Sequence, residues 1–302
     1  MATTSPQNRT TVRTATAHPP ATQAARLALT RLAFRSLDRV APDLAARWAA
    51  RIWCTLPTGA GRRRDERPRP GERSTLTLSD GRRVAVETWG FGPPVYLVHG
   101  WGGWRGQLGA FVEPLVAANR RVIALDAPSH GDSDPGTLGR GRATGTEFVE
   151  ALSAAAGKHG KPDAVVAHSF GCAATAVALL DGLPASKVVM VAPSTDLSGN
   201  IAVLGRMLGF GERTRAALMS RLRRLAGRPV ADFDIVGLAQ RAELPPTLVV
   251  HDREDKEVPY DDGARLAATW PEAELASTEG LGHQRILRDP DVVEVVVDYV
   301  TR

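Results

Sequence analysis

From residue 74 onward, short apolar runs rich in β-branched residues alternate with segments whose apolar positions recur every three to four residues. The runs at 75–78, 83–88, 95–99, 122–126, 164–167, 187–191 and 247–251 read as strands. The segments at 108–118, 144–158, 171–181, 263–270 and 290–300 carry helical periodicity. Strands that alternate with helices imply the α/β class, with a mostly parallel central sheet covered by helices on both faces. Sheets of this kind place their sites beyond the C-terminal ends of the strands. The alternation breaks between 197 and 244. There Ile201, Leu204, Met207 and Leu208 form one apolar stripe and Leu218, Leu222 and Leu225 another, as in a small helical insertion.

Before residue 74 the pattern changes. Residues 1–20 are rich in Thr, Ala and Pro without an apolar block, and read as a disordered tail. The chain stays free of acids up to Asp38, which suits a transit peptide, but no cleavage signal accompanies it. Residues 21–73 read as a basic helical extension. Its first helix has an apolar stripe of Leu29, Leu32, Ala33, Leu37 and Val40, with Arg31, Arg35 and Arg39 opposite. Pro42 can open a second helix, striped by Leu44, Ala45, Trp48, Ala49 and Ile52. The favoured expectation is that both stripes dock on the main domain. Peripheral contact of these basic helices with an anionic membrane is the alternative. Residues 61–73, with three consecutive arginines, read as a linker to a main domain at 74–302.

Composition narrows the class. Hydrophobic residues make up 43% of the 302 and charged residues 24%, enough for a sizeable core. The net charge of +5 is uneven: residues 1–73 hold 14 bases against 5 acids, and the rest holds 24 against 28. The basic excess therefore belongs to the extension, and no nucleic-acid-binding face is expected on the main domain. Cys54 and Cys172 fit neither a disulfide framework nor a zinc site, which points to a reducing, cytoplasmic setting.

Chemistry enters at the strand ends. A serine exposed on a sharp strand-to-helix turn needs small neighbours two residues to either side. The pattern occurs twice, as Ala127-Pro128-Ser129-His130-Gly131 and as Ala167-His168-Ser169-Phe170-Gly171. Only Ser169 has a strand before it and an alanine-rich helix after it; Ser129 runs into a loop. A hydroxyl at a helix start is otherwise an ordinary cap. A nucleophilic serine needs a base. Of seven histidines, His283 lies in the glycine-bracketed turn Gly280-Leu281-Gly282-His283, and His130 is its main rival. Asp255, three residues past a strand, is favoured as the carboxylate that orients the base, ahead of Asp252 and Asp196.

At these residues the chain resembles the α/β-hydrolase superfamily over roughly 74–302. The order Ser, Asp, His matches it. His99-Gly100-Trp101-Gly102-Gly103 looks like its oxyanion loop, and Asp126 through Ser133 like the loop after the next strand, where a histidine at the place of His130 is ordinarily structural. His251 through Pro259 looks like its acid turn. The resemblance implies an oxyanion hole from the main-chain N–H groups of Trp101 and Phe170, and a lid at about 197–244. It also implies hydrolysis of a carboxylic ester or thioester of a small apolar acyl substrate by Ser169, His283 and Asp255, with no cofactor and no metal. Trp101, Met207, Leu208 and Phe210 are expected to line the acyl pocket. Cofactor-free perhydrolases and non-catalytic ligand binders share the fold and are the alternatives.

Overall fold

A computed structural model describes residues 21–57 and 68–302. The tail expected at 1–20 and most of the expected linker lie outside them. The linker reading overreaches at its end, because the first strand, β1 (Glu72–Thr77), begins two residues before residue 74. The helices α1 (Ala21–Val40) and α2 (Pro42–Trp53) precede it.

The remaining strands are β2 (Arg83–Trp89), β3 (Pro94–Val98), β4 (Arg121–Leu125), β5 (Ala164–His168), β6 (Lys187–Val191), β7 (Thr247–Asp252) and β8 (Ala273–Thr278). They form one sheet in the order β1-β2-β4-β3-β5-β6-β7-β8. Here β2 runs antiparallel to both neighbours, and every other pair is parallel. The expected mostly parallel sheet is therefore present. β8 was not among the runs read from the sequence. It is an edge strand of Ala, Glu, Leu and Ser with no fully buried position, so the burial that makes a strand legible is missing.

Side chains alternate across the strands and build two apolar layers. Val95 and Leu97 of β3 join Phe111, Leu115 and Val296 on one face, and Tyr96 and Val98 join Phe148, Val177 and Leu266 on the other. The helices α3 (Val112–Ala117) and α9 (Pro290–Thr301) cover the first face. On the second lie α4 (Gly145–His159), α5 (Phe170–Leu180) and α8 (Tyr260–Thr269). No helix among the described residues is long and apolar enough to cross a membrane.

Between β6 and β7 the chain inserts α6 (Leu197–Leu208) and α7 (Glu212–Ala226), at the place where the periodicity breaks. α1 and α2 pack on them. Phe34, fully buried, stacks on Trp48 at 4.4 Å and meets Phe210 at 5.6 Å. Asp38 accepts the Thr214 N–H at 3.0 Å in the first turn of α7, and Arg31 donates to the Met207 carbonyl at 2.8 Å near the end of α6. The docking expectation thus holds for α2 through Ala45 and Ala49 of its stripe, joined by Ala46 and Ala50, while Leu44 and Trp48 of that stripe are left exposed. It fails for the stripe assigned to α1, where Leu29, Leu32 and Val40 are exposed and Phe34 turns inward. α1 has apolar residues on two sides, and its partners, not its periodicity, select which side is buried.

Candidate active site

β5 delivers Ser169 at the C-terminal edge of the sheet. Every residue of β5 is buried, so the strand is pinned, and the turn into α5 forces Ser169 to φ 53°, ψ −120°. For a residue with a Cβ that conformation costs roughly 1–3 kcal/mol, and it persists only where the surroundings over-determine it. Two glycines permit it. A Cβ on Gly171 would lie 2.6 Å from the His99 carbonyl oxygen, and one on Gly100 would lie 3.1 Å from the Ser169 Cβ. The end of β3 therefore passes directly beside the serine. Positive φ alone does not single out Ser169, since Ser129 also has φ 67°. The hydroxyls differ. Ser129 Oγ donates to the Arg142 carbonyl at 2.7 Å and accepts the Gly136 N–H at 2.7 Å, so it is occupied in holding its own loop.

The loop after β3 carries Gly100 and Trp101. His130 braces it: its Nε2 accepts the Gly102 N–H at 3.1 Å, while Nδ1 donates to the Pro128 carbonyl at 2.9 Å. The ring is 2% exposed, and burial, with the neighbouring His99, pushes its pKa down to about 3. A neutral ring with both nitrogens engaged is a strut, and His130 does not approach Asp255. The Trp101 N–H has no partner among the described residues. Below the loop, Arg105 is buried among Glu87, Asp126 and Asp132, which ties the turns after β3 and β4 together.

β7 and β8 deliver the other pair. His283 Nδ1 lies 2.7 Å from Asp255 Oδ2. Oδ1 of Asp255 accepts the N–H groups of Glu257 and Val258 at 2.8 and 3.0 Å, and His251 Nε2 approaches Oδ2 at 3.4 Å. Burial raises the pKa of this carboxyl, but hydrogen bonds from His251, His283 and Val258 outweigh it and hold the group well below the usual carboxylate range. The other two candidate acids are placed differently. Asp252 accepts from Glu254 N, Thr278 Oγ1 and Leu281 N at 3.0, 2.8 and 3.0 Å, so it knits the β7 turn to the loop that carries His283. Asp196 is exposed and caps α6 through Gly199 N at 2.7 Å.

Three connections escaped the sequence reading. His168 Nε2 donates to the His283 carbonyl at 3.0 Å, and the two rings stand 4.6 Å apart, which fastens the histidine turn to the residue before Ser169. His251 is a second partner of Asp255. Glu257 Oε2 lies 4.0 Å from His283 Nε2, and its side chain is 57% exposed. The contacts of His283 with His168 and Glu257 join segments that spacing along the chain cannot pair, whereas His251 stands only four residues before Asp255.

Ser169 opens on a cavity of about 250 Å³. Its apolar wall includes Trp53, Trp101, Phe170, Leu222, Leu225 and Phe233, and Ser194, Asn200 and Arg228 add polar points. Trp101 is thus where the pocket was expected, but Met207, Leu208 and Phe210 are not. Met207 is 54% exposed, while Leu208 and Phe210 are 8% exposed and sit within the core. The correction has a simple cause. α6 turns its N-terminal end, Leu197 and Asn200, to the cavity, and its C-terminal end runs out to α1, where Phe210 meets Phe34. The wall residues taken instead from outside the insertion, Trp53 and Cys54, come from the end of α2. Burial pushes the Cys54 thiol up to about 11, so it stays protonated. Among the described residues no three His, Cys, Asp or Glu side chains are grouped to hold a metal ion.

The model of the alpha/beta hydrolase family matches residues 95–295. A non-heme chloroperoxidase from Streptomyces lividans is 26% identical, over 72% of this chain and 96% of that protein. Among solved structures, the esterase RhEst1 from Rhodococcus sp. ECU1013 superposes with a TM-score of 0.57 at 18% identity, covering 76% of this chain and 98% of its own. Est816, described as an N-acyl homoserine lactone degrading enzyme, gives 0.59 at 18% identity, covering 75% and 100%. The meta-cleavage product hydrolase CumD from Pseudomonas fluorescens IP01 gives 0.56 at 18%, covering 75% and 96%. At such identities the structural likeness speaks to the fold. In each case about a quarter of this chain is left uncovered.

Proposed function

Because the chain belongs to the α/β-hydrolase family, we propose that it is a serine hydrolase that cleaves a carboxylic ester or thioester of a short to medium apolar acyl group. Ser169 Oγ attacks the acyl carbonyl while His283 Nε2 takes the hydroxyl proton. Asp255, ionised and bonded to Nδ1, fixes the imidazole's tautomer and stabilises the cation that forms. The carbonyl oxygen becomes an oxyanion, for which the N–H groups of Trp101 and Phe170 are the donors. Collapse expels the alcohol or thiol, which receives the proton from His283. Water, deprotonated by the same imidazole, then attacks the acyl-enzyme and releases the acid and Ser169. No cofactor takes part in this scheme.

The observation that carries the reading is a strained, unoccupied serine at the mouth of an apolar cavity, with a buried histidine–carboxylate pair fastened to the residue before it. The cavity bears on the acyl group. A methylene takes up about as much room as a water molecule, roughly 30 Å³, so about 250 Å³ holds on the order of eight non-hydrogen atoms. The helices α6 and α7 act in this reading as the lid over that space. A fluorophosphonate label together with p-nitrophenyl esters of graded length tests the proposal. Labelling of Ser169 and rising kcat/KM up to a medium chain are expected. Labelling at another serine, or none with no turnover, would refute it.

The likeness to a chloroperoxidase favours a second reading on the same residues. Here hydrogen peroxide replaces water in the second step, and the acyl-enzyme is released as a peracid. Halide oxidation that requires both peroxide and a short carboxylic acid would identify it.

A further inference from the structure

Eleven large apolar side chains are left exposed among the described residues, and eight of them stand on α1, α2 and α6. Val40 is 80% exposed, Leu29 68%, Leu32 62% and Met207 54%. Those three helices make up a small part of the chain, so the clustering is not what a scatter of ordinary surface residues gives. At about 100° per residue, Leu29, Leu32, Ser36 and Val40 fall on the side of α1 away from the buried Phe34, with Arg35 and Arg39 flanking them. Arg31, nearer the Phe34 side of α1, bonds to the Met207 carbonyl and fastens the helix to the end of α6, leaving the Leu29, Leu32 and Val40 face outward.

Charge follows the same division. Together α1, α2, α6 and α7 carry twelve arginines against three acids, Asp38, Asp43 and Glu212. The rest of residues 74–302 holds 18 bases against 27 acids. The protein is therefore polarised, with a basic helical layer on an acidic body. In an external field of negative sign the helical layer turns forward.

We propose that this layer docks on an anionic lipid surface, with the outward side of α1 seated among the headgroups. Arginines beside exposed leucines are what such a surface accepts, since the charges meet lipid phosphates and the apolar groups reach the acyl boundary. A nucleic acid would satisfy the arginines and leave Leu29, Leu32 and Val40 in water. A second copy meeting the first across a two-fold axis would set twelve arginines against twelve. Docking does not depend on the chemistry proposed for Ser169, although Trp53 of α2 and Leu222 of α7 place the cavity wall in the layer that would face the lipid.

The test is sedimentation of the full chain with phosphatidylcholine vesicles, with and without phosphatidylglycerol, at low and high salt. Binding is expected only with phosphatidylglycerol and should weaken as salt screens it. The triple variant Leu29→Gln, Leu32→Gln, Val40→Gln keeps every arginine. It should lose binding by about tenfold or more, because the apolar part of the attachment is gone. Its thermal midpoint and its turnover of a water-soluble ester should stay unchanged, since the three side chains touch neither core nor cavity. Equal binding of variant and parent would overturn the proposal, as would binding to duplex DNA but not to vesicles. A self-association that the same variant abolishes, with no vesicle binding, would assign the face to a second copy instead.

Discussion

Lowering the pH from 7.5 to 5.5 should remove about 4 kcal/mol of folding stability, through three histidines that the fold keeps neutral. His99, His130 and His168 are at most 2% exposed. Burial is the main cause that pushes their pKa values down, to about 4, 3 and 3. The hydrogen bonds agree with neutrality. His99 Nε2 accepts the Ala127 N–H at 3.1 Å and His130 Nε2 accepts the Gly102 N–H, so a proton on either would set two N–H groups against each other. In the unfolded chain each imidazole titrates near ~6.5. A folded pKa below the unfolded one means the stability is complete above ~6.5 and lost as pH falls towards the folded value. At pH 5.5 each ring contributes a loss of about 1.4 kcal/mol, giving about 4 kcal/mol for three. That is a large share of the 5–15 kcal/mol typical of a domain. His159, whose pKa is lowered by partial burial and by Lys158 and Arg121, adds to the loss in the same window. Asp255, Asp252 and Glu87 have lowered pKa values too, but their losses begin only near the ordinary carboxylate range, well below 5.5. The raised Cys54, Tyr96 and Tyr299 matter only at alkaline pH. Urea unfolding at several pH values measures the loss. His130→Gln should reduce the pH slope by about a third, whatever it does to stability at pH 7.5. A stability flat between pH 7.5 and 5.5, or a slope unchanged in His130→Gln, would refute the reasoning.

Ser169→Ala should lower kcat on the order of 10⁴–10⁶-fold, whereas Ser129→Ala should disturb its loop and leave the chemistry largely intact; steady-state kinetics and thermal melts separate the two. Asp255→Asn should cost about 10⁴-fold in kcat by disturbing the imidazole's tautomer, and Asp252→Asn should act mainly on stability, by freeing the Leu281 and Glu254 N–H groups it accepts; a larger kinetic loss at Asp252 would reverse these roles. Phe210→Ala should cost about 3–5 kcal/mol without changing the preferred acyl length, because Phe210 packs on Phe34 and not in the cavity. Trp53→Ala should instead move that preference to longer acyl chains, read from kcat/KM on p-nitrophenyl esters, with each further CH₂ accommodated adding about fourfold.

The legible parts of this fold are those enforced locally. The turn at Ser169 is recognisable because small neighbours are a steric demand of the backbone: Gly171 clears the carbonyl at the end of β3 by having no side chain. The strands β3 to β7 are legible because burial on both faces forces continuous apolar runs. Asp255 stands out from Asp252 by its distance past β7 and by the resemblance of 251–259 to an acid turn, and the structure adds why that distance matters. Asp252 still lies in the strand and faces the next loop, whereas Asp255 has rounded the turn to meet His283. What stayed hidden are pairings between distant segments. The contact of Phe34 with Phe210 and the contact of His168 with His283 leave no mark on periodicity, so the stripe of α1 and the pocket residues of α6 were misassigned.

These long-range pairings also change what the N-terminal extension is. An α/β sheet leaves a crevice at the C-terminal ends of its strands, and here the insertion that could cover it supplies two helices. A helix pair lying over a crevice has a second side to satisfy. α7 presents Leu222 and Leu225 to the cavity and is capped at its start by Asp38 from α1, while α6 ends against Arg31. The helical layer is therefore built from two segments far apart in sequence, and neither completes it alone. The family match begins at residue 95, after the whole extension, yet Trp53 stands in the cavity wall. A chain that kept the sheet, the serine and the His283–Asp255 pair but lacked α1 and α2 would retain the groups proposed to react and lose one side of the cavity beside Ser169. If that cavity holds the substrate as proposed, differences in substrate preference between this chain and relatives matched only over the sheet should trace to α2 before they trace to the strand ends.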